Sequence, residues 1–167
     1  LNNFSDQVLS GDSIFNRYEL GIFRQRFLLG PGEKTVTVYF PWSVSVKLRG
    51  VFLEDGATIT PVRPNKTLLT FGDSITQGYD SMYPSSRYGT KLAEYLGAEE
   101  FCRAIGGEVF FPELAAEKEA FVPDYISVAY GTNDWNNRER TAFRQSCRAF
   151  FEALCKNYPK TKIFALT

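Results

Sequence analysis

The chain contains no histidine in its 167 residues. A catalytic serine here has no imidazole within its own chain to take its proton. The usual zinc ligand is missing for the same reason. Only three cysteines are present, Cys102, Cys147 and Cys155, with no Cys-x-x-Cys pair, so neither a zinc site nor any other metal centre is expected. An odd number at irregular spacing is not a disulfide framework. In a helix, Cys147 and Cys155 would lie roughly 12 Å apart, beyond disulfide reach. Free thiols in a reducing compartment are the reading, which points to the cytoplasm. A charge excess is lacking too: Lys+Arg and Asp+Glu both number 19. That balance argues against a nucleic-acid partner. No apolar run approaches the roughly 18 residues of a membrane span, so no membrane partner is expected. No signal-peptide pattern opens the chain at Leu1. Neither a Gly-x-Gly-x-x-Gly nor a P-loop appears, so no nucleotide cofactor, and no cofactor of any kind, is called for.

What is present is apolar and aromatic. Apolar residues make up 44% and aromatics 16%, with 15 Phe and 9 Tyr. A core can be buried, and flat surfaces are available for a site. The pattern divides the chain in two. In residues 34–40, "KTVTVYF" alternates Val36, Val38 and Phe40 against Thr35, Thr37 and Tyr39. In residues 43–50, "SVSVKLRG" alternates Val44, Val46 and Leu48 against Ser45, Lys47 and Arg49. Period 2 between "GPGE", "FPW" and "EDGA" breaks predicts half-buried antiparallel strands. Residues 1–64 are therefore expected to form a small β-sandwich or jelly-roll domain, incomplete as it stands. "PVRPNK" at 61–66 reads as the boundary.

Residues 65–167 follow another rule. Short apolar runs at 67–71, 99–105, 125–130 and 162–166 alternate with helical patterns at 86–96, from Pro112 to about Ala120, and at 141–157. That alternation predicts an α/β domain with a parallel sheet and helices on both faces. Chemistry in such folds gathers at the carboxyl ends of the strands.

Gly-Asp-Ser-Ile occurs twice, in "SGDSIFNR" (10–17) and "FGDSITQG" (71–78). The first copy follows a polar, loop-like stretch, and its Ser13 reads as a turn or cap. The second copy closes an apolar strand, where a sharp turn presents a side chain outward. Strand 99–105 ends at Gly106-Gly107, and strand 125–130 ends in "GTND" (131–134). Three strand ends thus deliver a hydroxyl, a bare backbone amide and a carboxamide, the parts needed to form and hold an oxyanion. Asp73 reads as a brace for the turn. An α/β-hydrolase elbow is excluded, because position 76 is Thr where Gly-x-Ser-x-Gly needs Gly.

These blocks resemble the SGNH (GDSL-type) hydrolases, over residues 67–167. The resemblance implies a flavodoxin-like three-layer α/β/α domain, here its first four strands. It implies Ser74 as nucleophile and N–H oxyanion donor, Gly107 as a second N–H donor, and Asn133 as the side-chain donor. Thr132 stands where many members have glycine. The family's fourth block, Asp-x-x-His, is absent, so a chain truncated before that block is expected, with little activity alone. A natural pseudoenzyme and a histidine supplied by a second chain are the alternatives. With the β half, the arrangement looks like a two-domain carbohydrate esterase. A serine esterase removing O-acetyl groups from carbohydrates is the leading expectation, with a small ester or acetylated sugar as substrate. A thioesterase or small-ester lipase, a non-catalytic carbohydrate-binding protein and an acyltransferase are the rivals. Tyr79, Tyr83 and Trp135 follow the first and third blocks and are candidates to line the substrate pocket. The oligomeric state stays open, a homo-oligomer included.

Overall fold

Lys66–Gly72 is a strand (β1) buried on both faces, from Leu68 to Gly72 without a break. Such a run suits only the interior of a parallel sheet. In this computed structural model, which describes residues 26–42, 46–137 and 139–166, β1 is central. It is flanked by β2 (Ala98–Ala104) and β3 (Tyr125–Ala129), and β4 (Lys162–Ala165) follows β3. All pairings are parallel, in the order β2-β1-β3-β4. Between the strands lie α1 (Ser74–Gln77), a 3₁₀ turn (Pro84–Ser86), α2 (Tyr88–Leu96), α3 (Pro112–Ala116), α4 (Thr132–Asn137) and α5 (Arg140–Asn157).

The sheet winds first to one side of β1 and then to the other. Its intervening helices lie on opposite faces, α2 on one and α3 and α5 on the other. On one face Leu68 meets Ala93 and Ala98, with Leu92 and Leu96 of α2 packed alongside. On the other, Leu69, Phe71, Ile126 and Val128 meet Ala115 of α3 and Phe150 and Leu154 of α5. That second core is aromatic. Phe150 sits edge-on to Phe71 at 5.4 Å and to Tyr130 at 5.5 Å. Edge-to-face contacts of this kind add about 0.5–1.5 kcal/mol each beyond the area they bury.

The expected strands and helices of residues 65–167 all appear within a residue or two, except that α3 ends at Ala116, before the expected Ala120. The stop comes from α5. Asn157 Nδ2 donates to Ala115 O and Ala116 O, both at 3.0 Å, and Tyr158 OH accepts from Glu119 N at 2.8 Å. Side chains from a distant helix thus take the groups that another turn of α3 would have used.

The chain divides into two units, Leu1–Val36 and Thr37–Thr167. In the first, the described residues 26–36 are exposed, with a bend at 31–32. In the second, Tyr39 OH donates to Glu94 Oε1 of α2 at 2.7 Å. The β-sandwich expected over residues 1–64 is not supported. No strand is formed by the described residues 26–42 and 46–65, and Val36, Val38 and Leu48 are 58%, 62% and 63% exposed. Alternation records amphipathic character, but a strand also needs a ladder partner and a layer to cover its apolar face. The turn expected at "EDGA" does form, with Ala57 N donating to Glu54 O at 3.1 Å. Ser13 and the first Gly-Asp-Ser lie outside the described residues.

Candidate active site

The register of the sheet levels three strand ends. Gly72 lies opposite Ala104 of β2 and Ala129 of β3. The loops that follow leave the sheet at one height, on either side of the point where the strand order reverses.

The Ser74 turn is built tightly. A Cβ on Gly72 would overlap Thr76 Oγ1 and come within 2.8 Å of Ala129 O, so only glycine fits there. Asp73 is 1% exposed, and its Oδ1 accepts from Ile75 N at 2.9 Å. It is the N-cap that the sequence leads one to expect of a brace. Gly78 N and Tyr79 N both donate to Ser74 O, at 3.0 and 2.8 Å, which closes α1 after a single turn. Ser74 is half-buried at its head.

The loop after β2 is strapped to both neighbours. Ile105 N donates to Gly72 O at 3.3 Å, and Glu108 N to Ile105 O at 3.2 Å, making a turn over Gly106 and Gly107. Gly107 has φ +82°, a conformation that a side chain would strain. Gly106 N donates to Gln77 Oε1 at 2.8 Å, and a Cβ on Gly106 would lie 3.6 Å from Ser74 Cβ. On the other side, Asn133 Nδ2 donates to Glu108 O at 2.9 Å and Phe110 N donates to Asp134 Oδ2 at 3.2 Å. Ser74, Gly107 and Asn133 therefore belong to one hydrogen-bonded assembly. Among the described residues neither Ser74 N nor Gly107 N has a hydrogen-bond partner, whereas Gly106 N is taken by Gln77.

Sequence reasoning missed Gln77 and Glu108. Gln77 is the last residue of α1 and ties the first block to the second. Glu108 offers its carbonyl to Asn133 and its Oε2 to Tyr130 OH at 3.0 Å. Burial raises the carboxyl of Glu108 above its usual range, and burial is also the main reason the Tyr130 phenol is raised. The only sequence signal was proximity: Gln77 stands three residues after Ser74, and Glu108 directly follows Gly107.

The aromatic candidates separate. Tyr79 is joined to the Ser74 turn through its N–H, and its ring meets Trp42 edge-on at 6.0 Å. Tyr83 precedes the 3₁₀ turn, donates its N–H to Ser86 Oγ at 3.2 Å, and shares no hydrogen bond with the Ser74 turn among the described residues. Trp135 is 88% exposed on α4, beside a cleft of about 600 Å³. Among the described residues no group of three or more His, Cys, Asp or Glu could hold a metal ion. No described helix is long and apolar enough to cross a membrane.

Solved structures share this fold. A family two carbohydrate esterase from Clostridium thermocellum, in complex with cellohexaose, is 19% identical, with a TM-score of 0.55 over 65% of this chain and 44% of its own. A carbohydrate esterase family 2 enzyme with a carbohydrate-binding domain, from Corynascus thermopiles (Myceliophthora fergusii), is 20% identical, with a TM-score of 0.51 over 65% and 46%. The SGNH-hydrolase family esterase AlinE4 is 21% identical, with a TM-score of 0.51 over 65% and 60%. At these identities the likeness is one of fold. The chain spans under half the length of the two carbohydrate esterases. No curated protein matches it. The sequence profile of the GDSL-like lipase/acylhydrolase family, in contrast, matches residues 70–167, more than half of the chain and the whole stretch that carries the three levelled strand ends. On that match the chain belongs to the GDSL-like lipase/acylhydrolase family.

Proposed function

We propose that this chain carries the nucleophile and the oxyanion donors of a serine esterase acting on O-acetyl groups of carbohydrates. One observation carries the reading. The loop 105–110 is bonded to the Ser74 turn through Gln77 and to the Asn133 turn through Glu108, which gathers a hydroxyl, two N–H groups and a carboxamide. In the reaction, a base takes the proton of Ser74 Oγ and the oxygen attacks the ester carbonyl carbon. The carbonyl oxygen becomes an anion held by Ser74 N–H, Gly107 N–H and the Asn133 carboxamide. The alcohol leaves with the proton, and water then releases the acid from the acyl-enzyme. Gly107 suits its part because its N–H is uncommitted among the described residues while that of Gly106 is not.

The base is not a histidine of these 167 residues. A general base is worth roughly 10²–10⁴ in rate, so this chain alone is expected to work slowly. Added imidazole should restore part of the loss. The test is hydrolysis of p-nitrophenyl acetate with and without imidazole, measured against Ser74→Ala, together with mass spectrometry after fluorophosphonate treatment. A Ser74-dependent, imidazole-stimulated rate and an adduct on Ser74 support the reading. Equal rates in both proteins, with Ser74 unmodified, overturn it.

Carbohydrate as substrate rests on the two carbohydrate esterases of like fold and on the exposed Trp135 and Tyr79. A β-layer in residues 1–64 belongs to the same proposal and rests on the alternation of 34–40 and 43–50. Amide-exchange protection in those residues is the measurement that bears on it.

A further inference from the structure

The turn that carries Asn133 also forms one wall of a second feature. Gly131, Asp134 and Trp135 line the cleft of about 600 Å³, and Arg140, Phe143 and Arg144 of α5 face them. Arg140 and Arg144 are four residues apart, so both project from one side of the helix. The other described arginines of residues 66–166 are paired. Arg87 pairs with Glu100, Arg103 with Glu119 and Arg148 with Glu152. Among the described residues, Arg140 and Arg144 have no ion-pair partner. The nearby carboxylates are engaged elsewhere. Asp134 lines the cleft but is 1% exposed, and its Oδ2 accepts from Phe110 N. Glu139 Oε2 accepts from Thr141 N and Ala142 N at the head of α5.

Two guanidinium groups on one cleft form a site for an anion, because each presents a planar fork of donors that matches a carboxylate. Trp135, 88% exposed, adds a flat face of the size of a sugar ring. We propose that the cleft is a specificity subsite: the ester substrate carries a carboxylate, as a uronate sugar does, and Arg140 and Arg144 hold it while the ring lies on Trp135. The inference rests on the esterase reading of the neighbouring Ser74 site and narrows its substrate to anionic sugar esters. Neutral esters would lack the group that the two arginines await.

The experiment separates the two claims. Calorimetric titration of the Ser74→Ala protein, which cannot turn over the ligand, compares a partly acetylated oligogalacturonide with a neutral acetylated xylo-oligosaccharide of equal length. The anionic ligand should bind at least about tenfold tighter, the size expected for a charge-assisted contact. The preference should shrink as salt rises. It should vanish in Arg140→Gln/Arg144→Gln, whose fold is checked by circular dichroism. Each single variant should lose part of it. Equal binding of the two ligands, or a preference that survives the double variant, overturns the subsite. Ser74-dependent, imidazole-stimulated hydrolysis of p-nitrophenyl acetate by the parent protein reads the other claim. That hydrolysis without the preference leaves the esterase and removes the subsite; the preference without it leaves an anion site and removes the esterase.

Discussion

Glu108 holds together what the site needs by using two atoms in two directions. Its carbonyl oxygen orients Asn133, and its carboxylate accepts from Tyr130 OH. Burial raises its carboxyl above 4.5, so the folded protein holds that proton more firmly than the unfolded chain does. Stability is therefore lost as pH climbs from 4.5 through the raised native value, because the carboxylate must then be ionised where it is partly buried. Glu108→Gln keeps an acceptor for Tyr130 and removes the ionisation. Its melting temperature should match that of the parent below pH 4.5 and exceed it by a margin that grows from there until the raised native value is passed. A margin that stays constant with pH would show that Glu108 does not titrate in this way. The backbone carbonyl is untouched by the change, so Asn133 keeps its anchor.

At the scale of elements, α1 is held from behind by α2 and β2. Arg87 Nη2 donates to Thr76 O at 3.1 Å and to Glu100 Oε1 at 2.9 Å, and Thr70 Oγ1 donates to the same Glu100 oxygen at 3.0 Å. The side chains of Arg87 and Glu100 are 13% and 11% exposed. Removing one member of a buried pair leaves an uncompensated charge, at a cost of about 3–5 kcal/mol. Glu100→Gln should lose about that much in urea unfolding, and Arg87→Met/Glu100→Leu should cost less than the sum of its two single changes. Strict additivity would show that the pair is not coupled. None of this was legible in the sequence. The strands, α2 and α5 were, because apolar period and Gly or Pro punctuation are local signals. Ser74, Gly107 and Asn133 were legible as the residues ending three such strands. Arg87–Glu100, Gln77–Gly106 and Asn133–Glu108 depend on which strand lies beside which and in what register, and packing of the whole sheet decides that. The N-terminal alternation gives no strand among the described residues for a related reason: period 2 reports a face, not a partner. Glycine at 97 ends α2 as the pattern required, whereas α3 stops early on account of Asn157, some forty positions away in sequence.

The whole molecule has a sheet whose strength is unevenly spread. β1 and β3 are enclosed, while β4 forms one edge of the described sheet, with Phe164 42% and Leu166 44% exposed nearby. An edge strand offers unpaired N–H and C=O groups to any other strand, and apolar side chains beside it strengthen the invitation. In solution this chain is therefore expected to self-associate as its concentration rises. Light scattering should grow steeply with concentration for the parent and much less for Phe164→Lys, whose charge guards the edge. Equal scattering would place the contact elsewhere. The practical outcome is colloidal: rates measured on concentrated samples would describe clusters, and dilute samples are where the chemistry of Ser74 is to be read.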